Sequence, residues 1–254
     1  MKKIISKFLP AIRFTLFLLP VSAVAGYFTG IYSLTIAGEE VLNEALAVFG
    51  SESALVMITT LQTVLYTVFC GIFGYILSEK LGLIKPFEIK WESLKRVLAF
   101  SLVGGIILSM DHWVFGHFEP MIKTINASSL NFNYLMTSVL YGGIIEELML
   151  RFFFMSLTAF VIKIIFFRKR DAVPKKVFLT ANIISSIAFA AGHLPSTALL
   201  FGSITPMLLF RCFLLNGGFG FMFGYFYEKY GIQYSMISHA ALHIISKTIW
   251  FIFI

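Results

Sequence analysis

Long apolar runs, separated by short loops that hold most of the charge, are the feature that most limits this fold. A hydrocarbon core about 30 Å thick needs roughly 20 apolar residues per helix, and runs of that order recur from Phe14 to Ile254. Lipid offers the backbone no hydrogen-bond partner, so only helices or closed barrels can cross it. Runs this long without alternation predict helices. The 254 residues are 58% hydrophobic and 13% charged, which excludes an ordinary soluble domain. The expected fold is all-α: a polytopic membrane protein with about eight transmembrane helices in one bundle, forming a single domain over residues 1–254.

The expected spans are about Phe14–Tyr32, Ala54–Leu77, Val97–Phe115, Tyr134–Phe167, Val177–His193, Ser196–Phe213, Leu214–Tyr227 and Ile232–Ile254. Lys2, Lys3, Lys7 and Arg13 precede the first, and Val21–Ala25 offers small residues, as in a signal peptide. The apolar character continues to Ile31, which suits an uncleaved span better. Leu42, Ala45, Leu46 and Phe49 repeat at helical spacing in the acidic loop Gly38–Ser53, predicting a surface helix. The fourth run exceeds one bilayer thickness and must tilt or project. Pro195 is read as the stop of the fifth, and Gly220 and Gly224 as a GxxxG contact. Asp111, His112 and His117 read as interfacial polar residues, and the sequon at Asn126 carries little weight alone.

The formal charge of +7 lies in short loops between apolar runs. Orientation and anionic lipid headgroups explain it, and no nucleic-acid partner is expected. Lys80–Arg96 and Arg168–Lys176 are basic, and the loops between alternate with them as acidic or neutral. The positive-inside rule then makes the N-terminus cytoplasmic, and eight spans put the C-terminus there too. The short loops and basic start suggest a bacterial cell membrane. Cys70 and Cys212 sit inside apolar segments, so neither a disulfide framework nor a cysteine metal site is indicated.

Within the fourth run, Gly142–Phe153 carries Glu146, Glu147 and Arg151. Ionisable residues in hydrocarbon cost several kcal/mol and mark function by default. At about 100° per residue, Glu147 and Arg151 share a face and can pair, whereas Glu146 points about 140° from Arg151. A structural ion cluster is the plainer reading of such a motif. Of the five histidines, His193, His239 and His243 lie in apolar runs after the motif. Each alone reads as a satisfied core or interfacial residue. Together with Glu146 they come from three helices and should face one another rather than lipid. A carboxylate beside an imidazole can deprotonate a water, and further polar groups can donate to an oxyanion. That is equipment for peptide hydrolysis, and no G-x-S-x-G nucleophile motif is present. Glu146, His193, His239 and His243 also form a candidate zinc set, since imidazoles at i,i+4 can share an ion. The pattern His239-Ala-Ala-Leu-His243 lacks the glutamate of H-E-x-x-H, so the sequence does not require a metal.

Glu146-Glu147-x-x-x-Arg151, then Phe189-x-x-x-His193, then His239 with His243 four later, resembles the CPBP intramembrane proteases. This family, also called ABI, includes the type II CAAX prenyl endopeptidases. Gly217–His239, with spaced glycines and a Tyr-x-Tyr-Glu-Lys-Tyr-Gly turn, is similar to bacterial members. The resemblance covers roughly residues 140–245 and implies a catalytic core over 134–245. It implies an eight-helix fold with a conical intramembrane site, a peptide or membrane-protein substrate, and in bacteria roles such as bacteriocin immunity or peptide maturation. It further implies that Glu146 and His193 activate water, that His239 and the residue at 243 stabilise the oxyanion, and that Glu147 and Arg151 shape the site. Asparagine often stands where this chain has His243, which leaves the oxyanion role and the metal open. The competing expectations are a non-catalytic immunity or peptide-binding protein on the same scaffold and a proton-coupled transporter. Counting 1.5 Å per residue from the cytoplasmic helix ends, the C-terminus among them, places Glu146, His193 and His239 beyond the midplane and predicts an outward-facing cavity.

Overall fold

The computed structural model describes residues 2–128 and 130–254. The side chains of Lys2, Lys3 and Lys7, which enter the orientation argument, lie outside the described residues. Among the described residues there is no strand, and seven helices are long and apolar enough to cross a membrane. They are Phe8–Ile36, Glu52–Leu81, Trp91–Phe118, Phe132–Phe166, Lys175–Phe201, Pro206–Tyr230 and Ile232–Phe253. The all-α polytopic bundle is as the apolar runs predict, with seven spans in place of eight.

The difference arises at two prolines. Pro195 does not end the fifth span: it sits in the first turn of Leu194–Phe201, which follows Lys175–Gly192 after a bend at His193. Proline is tolerated there, because first-turn N–H groups have no intrahelical partner. Pro206 likewise opens Pro206–Cys212, and the chain runs on to Tyr230 without a break. What reads as two short spans between Ser196 and Tyr227 is therefore the end of one span and most of the next.

Contacts between spans fix their directions. Thr15 meets Gly71 and Thr60 meets Gly26, so the first two spans form an antiparallel hairpin. The third and seventh run parallel: Lys90 bonds Tyr234, Ser101 bonds Ser238, and Trp250 Nε1 donates to Ser109 O (2.8 Å). Tyr32 stacks on Tyr134 at one end of the fourth span, and Phe14 packs on Phe152 toward the other. One face of the bundle thus gathers Lys80, Lys85, Lys90 and the loop from Arg168 to Lys176. The opposite face gathers the helix Glu39–Phe49, with Glu39, Glu40 and Glu44, and residues 109–128 and 130–134. That surface helix forms as its spacing predicts and buries no residue. It closes on Gly50, whose φ of 84° favours glycine. Residues 8 and 253 end on opposite faces, so the two termini do not share a side as eight spans would require.

Glycines set the tightest approaches, as expected where lipid gives helices no hydrophobic reason to associate. A Cβ on Gly143 would stand 2.7 Å from that of Ala240, and one on Gly224 1.9 Å from Asn182 Oδ1. Cys70 and Cys212 are free and buried. Parts of the fourth and sixth spans are wound as π-helix, over Thr137–Glu146, Leu148–Met155 and Phe213–Gly217. The angles assigned from α geometry change accordingly: an i→i+5 ladder turns less per residue, so the 140° separation of Glu146 from Arg151 does not hold.

Candidate active site

The motif helix carries its charge into the bundle through the Gly143–Ala240 approach, which seats it against the last span. Glu147 is fully buried there and takes three partners. His239 Nδ1–H donates to Oε1 at 2.9 Å, Ser235 Oγ donates to Oε2 at 2.5 Å, and Arg151 Nη1 lies 3.4 Å from Oε1. A buried carboxylate is tolerable only with such partners. Arg151, also fully buried, lies over the Phe189 ring at 4.2 Å and the Phe223 ring at 5.6 Å. Its Nη1 and Nη2 make no hydrogen bond, so ion pairing and aromatic faces are what hold it. Gly220 makes this room, since a Cβ there would lie 2.7 Å from Arg151 Nη2. The GxxxG pair thus lets the sixth span close over Arg151 and Asn182.

The His239 ring stacks on Phe223 with centroids 4.3 Å apart and meets the edge of Phe189 at 5.8 Å. With Nδ1 committed to Glu147, its Nε2 faces His243 Nε2 at 3.1 Å. In the neutral tautomer of His239, the hydrogen between the two rings belongs to His243. Glu147, His239 and His243 therefore form one hydrogen-bonded line ending at the cavity. His193 stands at the bend of the fifth span, where its Nδ1 bonds Phe189 O at 2.7 Å. Donation to that carbonyl leaves Nε2 as the acceptor.

Glu146, His193, His239 and His243 line one cavity of about 310 Å³, together with Tyr141, Asn216 and Phe219. Glu146 makes no hydrogen bond within the protein among the described residues, and in particular none to His193. Glu147 and Arg151 lie behind His239, away from the lining. Toward the acidic face the wall continues through Tyr134, Asp111, Asn126, Arg211 and Lys247. Asp111 is 2% exposed and bonds Arg211 twice, at 2.6 Å to Nε and 2.7 Å to Nη2. It is a buried ion-pair partner, not the interfacial residue that its place near a span end suggests. His112 and His117 do not line the cavity.

The sequence reading missed Ser235, Lys247 and the Asp111–Arg211 pair. The first two had a signal: Ser235, His239, His243 and Lys247 repeat every four residues along one face of the last span. A zinc site needs three protein ligands around an open position. Among the described residues no three of His, Cys, Asp or Glu are arranged to hold one ion. His239 has given one nitrogen to Glu147 and turned the other to His243. The set Glu146, His193, His239 and His243 therefore does not fit a metal as arranged.

Fold and site together define an integral membrane protein with a glutamate–histidine–arginine cluster sunk in its helical bundle. Residues 127–245 match the model of the family described as type II CAAX prenyl endopeptidase Rce1-like. The match runs from the start of the fourth span to the site-bearing part of the last, so this part of the chain is similar to the CAAX-type proteases. No curated protein and no solved structure matches the chain.

Proposed function

We propose that the cavity hydrolyses a peptide bond with a water activated by Glu146 and His193. The observation behind this is convergence: Glu146, His193, His239 and His243, from three spans, line one space inside the bundle. Glu146 makes no hydrogen bond among the described residues, and His193 Nε2 is left as an acceptor once Nδ1 is bonded to Phe189 O. A water between them gives its proton to the Glu146 carboxylate as its oxygen adds to the carbonyl carbon. The oxyanion takes the hydrogen bond that His243 otherwise gives to His239. Collapse breaks the C–N bond, and Glu146 returns the proton to the leaving amine. Glu147 and Ser235 orient His239, and Arg151 balances the Glu147 charge. No step is routed through a metal.

The substrate class is a peptide or membrane-protein segment within reach of the bilayer. The positive-inside rule makes the face with Lys80–Lys90 and Arg168–Lys176 cytoplasmic. The C-terminus is then extracytoplasmic, and the cavity opens toward the outer side. The count from the C-terminus no longer supports this for His239, which lies seven residues, about 10 Å, from the basic-face start of its span. The lining residues near the acidic face support it instead.

The test is product analysis with purified protein and candidate peptides, wild type against Glu146→Gln. Cleavage by wild type alone is the expected result. Binding without cleavage would instead favour an immunity or peptide-binding protein, and uptake into liposomes a transporter.

A further inference from the structure

The basic face carries two adjoining spaces that the proposed hydrolysis does not use. The first, of about 250 Å³, is lined by Lys85, Lys90 and Lys229 with Glu88, Ser93 and Tyr234. Three ammonium groups thus surround it against one carboxylate. Glu88 pairs with Lys90 at 2.9 Å in an exposed contact, which leaves Lys85 with no ion pair among the described residues. The last span fixes these walls: Gln233 Nε2 donates to Pro86 O at 3.0 Å, and the Lys90 N–H donates to Tyr234 Oη at 2.6 Å. Gly231, with φ of 112°, admits the Lys85 stem, since a Cβ there would lie 3.2 Å from that of Lys85. The second space, a groove of about 480 Å³, shares Lys85 and Pro86 with the first. Its other walls are mostly apolar, among them Phe14, Leu83, Ile84 and Phe152, with Tyr75. Tyr75 lies six residues before its helix ends at Leu81, about 9 Å deeper in the bilayer. Phe87 and Trp91 beside the two spaces are exposed, as aromatic side chains are at the headgroup level.

We propose that the two spaces together bind one anionic phospholipid of the leaflet at the basic face, with its phosphate among Lys85, Lys90 and Lys229 and an acyl chain in the groove. Like charges gathered around one pocket repel unless an anion joins them. Basic pockets between spans take the headgroups of anionic lipids. Orientation by the positive-inside rule asks only that lysines be present. It does not ask that their loop be pinned to the last span or that an apolar groove open beside them. A soluble phosphate would use the lysines and Ser93 but not the groove. A groove that runs from headgroup level into hydrocarbon fits a molecule charged at one end and apolar at the other. Glu88 opposes the anion, and its exposed pair with Lys90 is weak enough to give way. The lipid joins the first span, through Phe14, to the start of the last, where Tyr234 precedes the Ser235 that donates to Glu147. No residue lining the two spaces also lines the cavity of Glu146 and His193, so the site stands apart from the proposed hydrolysis.

The test uses the 254-residue chain in detergent, titrated with phosphatidylglycerol or phosphatidylcholine of the same acyl chains. Bound lipid is counted by native mass spectrometry. The unfolding midpoint is followed in parallel, since a ligand of the native state raises it. Wild type should retain one phosphatidylglycerol in preference to phosphatidylcholine by at least about tenfold. Lys85→Gln with Lys229→Gln should weaken phosphatidylglycerol binding by about tenfold or more, at roughly fivefold per lysine. Lys169→Gln with Arg170→Gln, which removes the same charge from the other basic loop, should leave the affinity unchanged. Equal retention of the two lipids by wild type, which needs no variant to fold, overturns the proposal. Equal weakening by the two double variants also overturns it, because the attraction would then belong to the whole basic face. Inorganic phosphate that displaces phosphatidylglycerol at equal concentration would assign the pocket to a soluble phosphate and reject the lipid.

Discussion

Replacing Glu147 by alanine should cost far more stability than the same change one residue earlier. In Glu147→Ala, Arg151 loses the one ion pair it makes among the described residues while fully buried, and among those residues its Nη1 and Nη2 already lack hydrogen bonds. His239 Nδ1 loses its acceptor as well, whereas Ser235 keeps Phe223 O at 2.9 Å. Removing one partner of a buried pair costs about 3–5 kcal/mol, because the other charge is left uncompensated. For a chain of this size each kcal/mol moves the unfolding midpoint by about 2–4 °C, so the expected drop is about 6–20 °C. Glu146→Ala removes a cavity-facing side chain with no protein hydrogen bond and should move the midpoint by less than about 2 °C. Thermal unfolding in detergent, followed by tryptophan fluorescence, reads both. The double variant Glu147→Ala with Arg151→Met removes the stranded cation and should recover much of the loss, because deleting both charges spares the penalty of leaving one buried alone. Midpoints for Glu147→Ala and Glu146→Ala within about 2 °C of each other would refute the division between a structural and a reacting glutamate.

Three further outcomes are expected. Gly224→Ala should destabilise by about 1–3 kcal/mol by overpacking, since the new Cβ meets Asn182 Oδ1 at 1.9 Å; an unchanged melting midpoint would contradict the packing of the fifth and sixth spans. Metal chelation should leave peptide cleavage intact, and stoichiometric zinc that survives washing, with activity lost on its removal, would reverse the metal-free reading. Cysteines at Ser196 and Ser203, both exposed toward the acidic face, should react with an impermeant thiol reagent in intact cells, whereas one at Lys169 should react only after the cells are opened; the opposite pattern would invert the orientation.

Hydropathy made most of the fold legible because bilayer thickness imposes a length on each span, whatever packs beside it. The surface helix Glu39–Phe49 was equally readable, since its apolar residues repeat at helical spacing. The stretch around Pro195 and Pro206 was not. A proline marks a missing N–H but does not say whether it ends a helix or begins one, and both of these open helices. The π-helical winding from Thr137 to Met155 left no signal either. Hydrogen-bond register in a long apolar helix depends on what the neighbouring spans press against it.

The site divides along the same physical line. Contacts within one helix follow from spacing, so the Glu147–Arg151 pair and the shared face of His239 and His243 could be read directly. Contacts between helices depend on axial register, which a single sequence does not encode locally. Glu147 meets His239 rather than His193 because Gly143 lets the fourth span sit against Ala240 on the last one. Asp111 and Arg211 were likewise visible as opposite charges in apolar runs, but their pairing across 100 residues was not. The register also divides the labour between the two adjacent glutamates. Glu147 is consumed in holding His239, which leaves Glu146 as the carboxylate facing the cavity with no hydrogen bond among the described residues. The proposed mechanism needs both glutamates for that reason: one carboxylate cannot brace the histidine line and stay free for a water.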